Sequence, residues 1–368
     1  MSELMQANRQ WSIRPDDERF CSIQELHAFV TGVRDNSRGV VVSSKVLELV
    51  PDQTDQAHGL ELYGPNGHGY APTHWSFGQL ATLSGAPAGY LRGLPAPLAA
   101  DCINYGLKFK REVEDVGVLL YRNGGTPTAR CVTGSKYGRI WNADATQALV
   151  NRGFGMPGSP WQVPGEFGQQ IEVTKRNTTL YASDRDMFVF LADEQNRIEV
   201  PNRRNGKAGS LARGFFLWNS EVGSATFGVG MFLFDYVCCN RIVWGAEQYK
   251  EIRIRHTSGA PERWLSEVEP VLLEYAASSP LTIEHAIASA QATKAAADEA
   301  ALDKFLADRF GKSRVAPIKL AHIAEEGRPI ESLWDVTTAA TAFARGIQHQ
   351  DARVEIERAA GDVMKLAA

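Results

Sequence analysis

Three carboxylates in the middle of this chain could do chemistry together. Ser183-Asp184-Arg185-Asp186 precedes an apolar run, and carboxylates two residues apart at a strand start can share an oxygen-ligated cation. Glu221, in Asn219-Ser220-Glu221-Val222-Gly223, ends another apolar run and offers a third oxygen donor. With Mg²⁺, Asp184, Asp186 and Glu221 would support a metal-dependent nuclease or other phosphoryl hydrolase. The same residues also have structural uses: Asp184 capping a turn, Asp186 paired with an arginine, Glu221 paired with Arg213 or Arg241. His256, in RIRHTSG, is either a general base or a hydrogen-bonded residue at a strand end.

A second set of residues points to binding rather than catalysis. Arg130, Lys136, Arg139, Arg185, Arg203, Arg204, Lys207, Arg213, Arg241, Arg253 and Arg255 are interleaved with Tyr137, Trp141, Phe188, Trp218 and Trp244. Single-stranded nucleic acid is held by cations that follow its phosphates and by rings that stack on its bases. Arg253 and Arg255, two apart on a strand, project from one face. Interleaved rings and flanking arginines also describe an ordinary sheet core with solvated edges, and that use stays open. Neither a phosphate-binding P-loop nor a G-x-S-x-G nucleophile elbow is present.

Composition bounds the choice. In 368 residues with 44% hydrophobic and 22% charged side chains there is room for a sizeable core, and the net charge of −4 argues against a generically basic protein. Charge is uneven: residues 101–260 carry 20 Lys and Arg against 16 Asp and Glu, while both flanks are acidic. Five cysteines without C-x-x-C spacing fit neither a zinc site nor a disulfide framework, and Cys238–Cys239 suits opposite sides of one strand. The start, MSELMQANRQW, lacks a secretory pattern, and no apolar run approaches the roughly 20 residues that span a bilayer. The expectation is a soluble, cytoplasmic protein without membrane contact.

The elements that must position these residues change period along the chain. Residues 1–20 are polar. Ser22 to Val33 reads as a helix capped by Ser22, with Ile23, Leu26, Phe29 and Val30 at helical spacing. Val40–Val42 and Val46–Val50 read as extended or partly helical, and 72–111 as a helical region opened by Thr73. The period then falls to two: Val118–Arg122 and Ala129–Thr133 form a hairpin across Asn123-Gly124-Gly125. A short helix spans Asp144 to Val150. Strands follow at Leu180–Tyr181 and Met187–Leu191, an exposed polar loop at Asn202–Ser210, and strands at Gly214–Trp218, Ala225–Val237, Ile242–Gly245 and Glu251–His256. From Pro261 the pattern is helical, with an Ala-rich stretch at 285–310 and a last helix from Asp351 to Leu366. The reading is an α+β fold. A polar N-terminal segment (1–20) leads into a core on a twisted antiparallel sheet (21–259) and a helical C-terminal region (260–368).

Several segments together resemble a known family. ARCVTGSKYGRIWNADATQAL, YASDRDMFVFLAD, RGFFLWNSEVGSATFGV, YVCCNRIVWGA and RIRHTSG, preceded by WSFGQLATLSGAPAGYLRGLP, resemble the phage/plasmid-like proteins that carry the domain of unknown function 932. The resemblance covers about residues 70–260 and, more loosely, TAFARGIQHQDARVEIERAAG. It implies a mobile-element protein acting in DNA replication, recombination or host conflict, and it brings no catalytic residues. The β-β-β-α order of 214–218, 225–237, 242–256 and the helix from Pro261 is similar to the core of single-strand annealing recombinases, which form rings around a basic groove. The expected function is therefore sequence-tolerant binding of single-stranded DNA, with strand annealing by a homo-oligomer and no cofactor. The alternatives are the Mg²⁺-dependent hydrolase and a non-enzymatic assembly or partner-modulating protein.

Overall fold

The structure, a computed structural model, describes residues 14–55, 59–65, 67–109, 115–164, 172–203, 207–235, 240–242, 252–347 and 350–367. After β1 (Arg19–Phe20), the Ser22 hydroxyl accepts the Glu25 N–H at 3.1 Å and starts α1 (Ile23–Asp35). Ile23, Leu26 and Val30 form its buried stripe, as the spacing predicts.

A six-stranded sheet comes next, built from β2 (Ser37–Ser43), β3 (Glu48–Pro51), β4 (Leu60–Tyr63), β5 (Gly69–Pro72), β6 (Asp115–Tyr121) and β7 (Thr128–Gly134). Its order is β2-β6-β7-β5-β4-β3, antiparallel except where β5 runs parallel to β7. Helices α2 (His74–Ser84), α3 (Ala88–Leu91) and α4 (Ala96–Phe109) make up the region read as helical, of which residues 110–111 lie outside the described residues. Phe77, Leu80, Ile103 and Leu107 pack against Leu62, Val118 and Leu120 of the sheet. The register of β6 against β7 shifts between Leu119 and Leu120, which leaves Arg130 as the extra residue of a β-bulge.

Helix α5 (Asn142–Asn151) leads to a nine-stranded sheet that also takes in β1. Its further members are β8 (Trp161–Gln162), β9 (Leu180–Ala182), β10 (Met187–Asp193), β11 (Ile198–Arg203), β12 (Lys207–Asn219), β13 (Phe227–Asp235), β14 (Asn240–Ile242) and β15 (Ile252–Ile254). The main path is β1-β9-β10-β12-β13-β14. Strands β14 and β15 both pair antiparallel with β13, at Leu233–Asp235 and Phe227–Val229 respectively. They run in line along one edge, and the expected strand ends at 243–245 and 251 lie outside the described residues, as does the Cys238–Cys239 pair.

The polar stretch 202–210 is a correction. Residues 202–203 and 207–210 are strand, at the end of β11 and the start of β12, with Val200 opposite Gly209 and Arg203 opposite Lys207; residues 204–206 lie outside the described residues. Burial of Ile198, Val200 and Leu211 against the C-terminal helices extends the ladder through residues that composition marks as loop.

The two faces of the large sheet differ. One carries Val189, Leu191, Phe215, Leu217, Phe227 and Val229 and packs on α1, α5 and α6 (Ala260–Ala277). The other is a ladder of buried rings, in which Phe216 stacks on Trp218 with centroids 5.1 Å apart and on Phe188 at 5.7 Å. Gly228, opposite Trp218, makes room for it, since a Cβ there would sit 2.1 Å from the indole. Helices α7 (Leu281–Ala292), α8 (Glu299–Phe310), α9 (Val315–Glu326), α10 (Leu333–Arg345) and α11 (Gln350–Met364) complete the chain. Their core joins Ile198, Val200, Leu211 and Leu233, so the helical region docks on the end of the large sheet. The fold is α+β. No helix among the described residues is long and apolar enough to cross a membrane.

Candidate nucleic-acid interface

The segment Asn219–Gly223 leaves the end of β12 and enters the seam between the two sheets. Its three central carbonyls, those of Ser220, Glu221 and Val222, are each held by a side chain. Tyr137 Oη donates to Ser220 O at 2.7 Å, Arg139 Nε to Glu221 O at 2.8 Å, and Trp75 Nε1 and Gln79 Nε2 to Val222 O at 3.0 and 2.9 Å. Gln79 Oε1 in turn accepts the Val132 N–H of β7. Val222 packs with Leu119 and Cys131, so apolar contact and hydrogen bonding seal the same joint.

Glu221 is the charged centre of the seam. Its side chain is 1% exposed, with Oε2 lying 2.8 Å from Arg130 Nη1 and Oε1 accepting the Asn142 N–H at 2.9 Å. Asn142 is the first residue of α5, so the carboxylate also meets the positive end of that helix. The β-bulge turns Arg130 out of the regular pleat and into this pairing. Asn219 Nδ2 donates to Ile140 O and Asn142 Oδ1, both at 2.8 Å. Three residues before Asn142, the Arg139 guanidinium lies 5.6 Å from the Tyr137 ring and 5.5 Å from that of Trp141.

Burial sets protonation along the seam. It pushes the Tyr137 phenol well above its ordinary range, so Oη keeps the proton it donates to Ser220 O. Burial likewise lowers His256 below the ordinary imidazole value. The ring is neutral at pH 7, and because Gly138 O can only accept, the Nδ1 atom 3.0 Å away carries the hydrogen. His256 stacks on Tyr137 at 4.8 Å. Gly138 is required by a close approach, because a Cβ there would fall 1.8 Å from Thr257 O.

The three carboxylates of the hydrolase alternative go separate ways. Asp186 is buried, paired with Arg14 and accepting from Ser183 Oγ at 3.0 Å. Asp184 is exposed beside it, and Glu221 points to Arg130 and Asn142 rather than to Arg213. Among the described residues no three His, Cys, Asp or Glu side chains converge to hold a metal ion.

The basic series divides as sharply. Arg130 and Arg213 are interior. Arg213 Nη2 lies 2.6 Å from Asp193 Oδ2, and its Nη1 donates to Ser278 Oγ and to the Tyr275 and Ser278 carbonyls at the end of α6. Its plane sits 5.6 Å from the Trp161 ring and 5.8 Å from Tyr275. Neither guanidinium reaches a phosphate in this fold. Arg139 and Trp141 are half-buried, whereas Lys136, Arg185, Arg253 and Arg255 are exposed. Arg204 lies outside the described residues, and so do the side chains of Arg203, Lys207 and Arg241.

What remains at the surface forms a strip. The Arg185 guanidinium lies 5.8 Å from the Trp75 ring. Ser220 Oγ and Ser224 Oγ both donate to Arg185 O, which fixes that loop against the seam. Exposed Gly223 sits between Gln79, Thr133 and the Tyr137 ring, close to the turn that carries Lys136. His256 and then Arg255 continue beyond Tyr137. Trp75 and Gln79 did not stand out as site residues, although their i,i+4 spacing on a capped helix places them on one face. Comparison with protein-family models, with curated proteins and with solved structures gives no match to this chain.

Proposed function

We propose that this protein binds single-stranded nucleic acid along the seam, without regard to sequence. The observation that supports this reading is the strip Arg185–Trp75–Gly223–Tyr137–Lys136. Two half-buried rings lie there between two exposed cations, and the nearby carboxylates Glu221 and Asp186 are neutralised by internal arginines. Phosphates would meet Lys136, Arg185 and Arg255, and bases would lie on the edges of Trp75 and Tyr137. The resemblance to phage/plasmid-like proteins supports the same reading, with DNA as the natural ligand. Annealing by an oligomer is the larger form of this proposal, and the molar mass with and without bound strand is the measurement that bears on it.

A fluorescent thirty-nucleotide oligo-dT tests the reading by anisotropy. Binding at low salt should weaken steeply as salt rises, since each phosphate contact on a single strand adds about 0.7 to the slope of log K against log salt. Lys136→Ala with Arg185→Ala should lower affinity about tenfold and reduce that slope by about 1.4. Absence of binding at low salt, or an unchanged slope in the double variant, ends the proposal.

A further inference from the structure

A cavity of about 340 Å³ opens on the small sheet, away from the seam. Alternate residues of β2 face it: Asn36 just before the strand, then Arg38, Val40 and Val42. Val118 and Leu120 of β6 complete the floor, Leu47 and Leu62 close the far wall, and Tyr70 stands at the side. The interior is apolar. The two charged groups that line it are both arginines, Arg38 and Arg122, and no lining residue carries a carboxylate.

The strand register puts those arginines together. Arg38 is opposite Leu120, and the Arg122 N–H donates to Asn36 O at 3.0 Å, which carries the ladder one step further. Arg38 and Arg122 are therefore diagonal neighbours on the same face, roughly 7–8 Å apart at the backbone. Both side chains are exposed. Arg122 lies over the Tyr70 ring at 5.6 Å, which holds its plane while leaving N–H groups at its edge for a ligand. No carboxylate engages either guanidinium among the described residues.

We propose that this cavity binds a small amphiphilic carboxylate, with its head between Arg38 and Arg122 and its apolar body over Val40, Val42, Val118 and Leu120. An apolar interior of this volume lies within the range of small-molecule sites. The guanidinium pair selects an anion, and the planar fork of each suits a carboxylate.

Decanoate is the probe, with decanol as its uncharged counterpart, titrated calorimetrically into the full chain. Decanoate should bind about tenfold more tightly than decanol, and Arg38→Gln with Arg122→Gln should abolish that preference. Val40→Trp, which fills the cavity from the edge strand, should weaken both ligands while the arginines remain. Failure of decanoate to bind, equal affinity for the two ligands, or an unaltered preference in the arginine double variant would overturn the proposal. Oligo-dT binding serves as a separate control, because the cavity and the seam share none of the substituted residues.

Discussion

The seam around Glu221 and the cavity on the small sheet use arginine in opposite ways. In the seam, Arg130 and Arg139 are engaged by the protein itself, one with a buried carboxylate and the other with a backbone carbonyl and two rings. At the cavity, Arg38 and Arg122 stand exposed above apolar side chains. A guanidinium at 5% exposure is unavailable to a ligand, because freeing it would leave Glu221 charged and unpaired in the interior. Of the three carboxylates that look most chemical in this chain, Glu221 therefore helps hold the two sheets together, while Asp186 pairs with Arg14 and Asp184 stays at the surface. The proposed recognition falls instead to exposed cations on plainer segments, Lys136 and Arg185 at the seam and Arg38 and Arg122 at the cavity.

The largest test of this contrast is removal of the seam's charge. Glu221→Ala should destabilise the fold by about 3–5 kcal/mol in urea unfolding, since it strands Arg130 in the interior. Replacing both partners, Glu221→Leu with Arg130→Met, should cost much less than the single change. If the single substitution were as mild as a surface change, the seam would not be the joint described.

The next effect is in pH. His256 is held below the ordinary imidazole value in the folded chain, by burial first, so the unfolded chain takes up the proton more readily. Its contribution is present above the ordinary imidazole pKa and is lost as pH falls below it. The unfolding midpoint should therefore hold from pH 7.5 to about 6.5, the imidazole reference value, and drop on further acidification. His256→Gln should flatten that part of the profile. A profile identical to the parent would remove His256 as its source.

The smallest stability effects belong to the exposed cations. Lys136→Ala, Arg185→Ala, Arg38→Gln and Arg122→Gln should each change unfolding free energy by no more than about 0.5 kcal/mol. Their effects should appear in ligand titrations alone. A large loss of stability in any of them would blur the division between interior and surface arginines.

Much of the scaffold was legible from periodicity. The Ser22 cap and the stripe Ile23, Leu26, Val30 announce α1, and the turn at Asn123-Gly124-Gly125 announces the β6–β7 hairpin, because both signals are local. The β11–β12 hairpin was not legible, since a polar stretch becomes strand only when Ile198 and Val200 find the C-terminal helices. The strip was half legible: Lys136, Arg185 and Arg255 stood in the basic series, while Trp75 and Gln79 did not.

By itself, then, the order of residues determined the α+β class, the helical C-terminal region and the importance of Asn219–Gly223. Tertiary structure alone decided what that segment does. Glu221 has Arg130 as its partner, across a bulge and between two sheets, at 91 positions' separation, and spacing along the chain carries no information about such a contact. The same holds for Arg38 and Arg122, which become neighbours only through the pairing of β2 with β6. Charge on an arginine is written in the sequence; whether that charge faces a carboxylate, a ring or an open cavity is decided by which strands pair and which faces are covered.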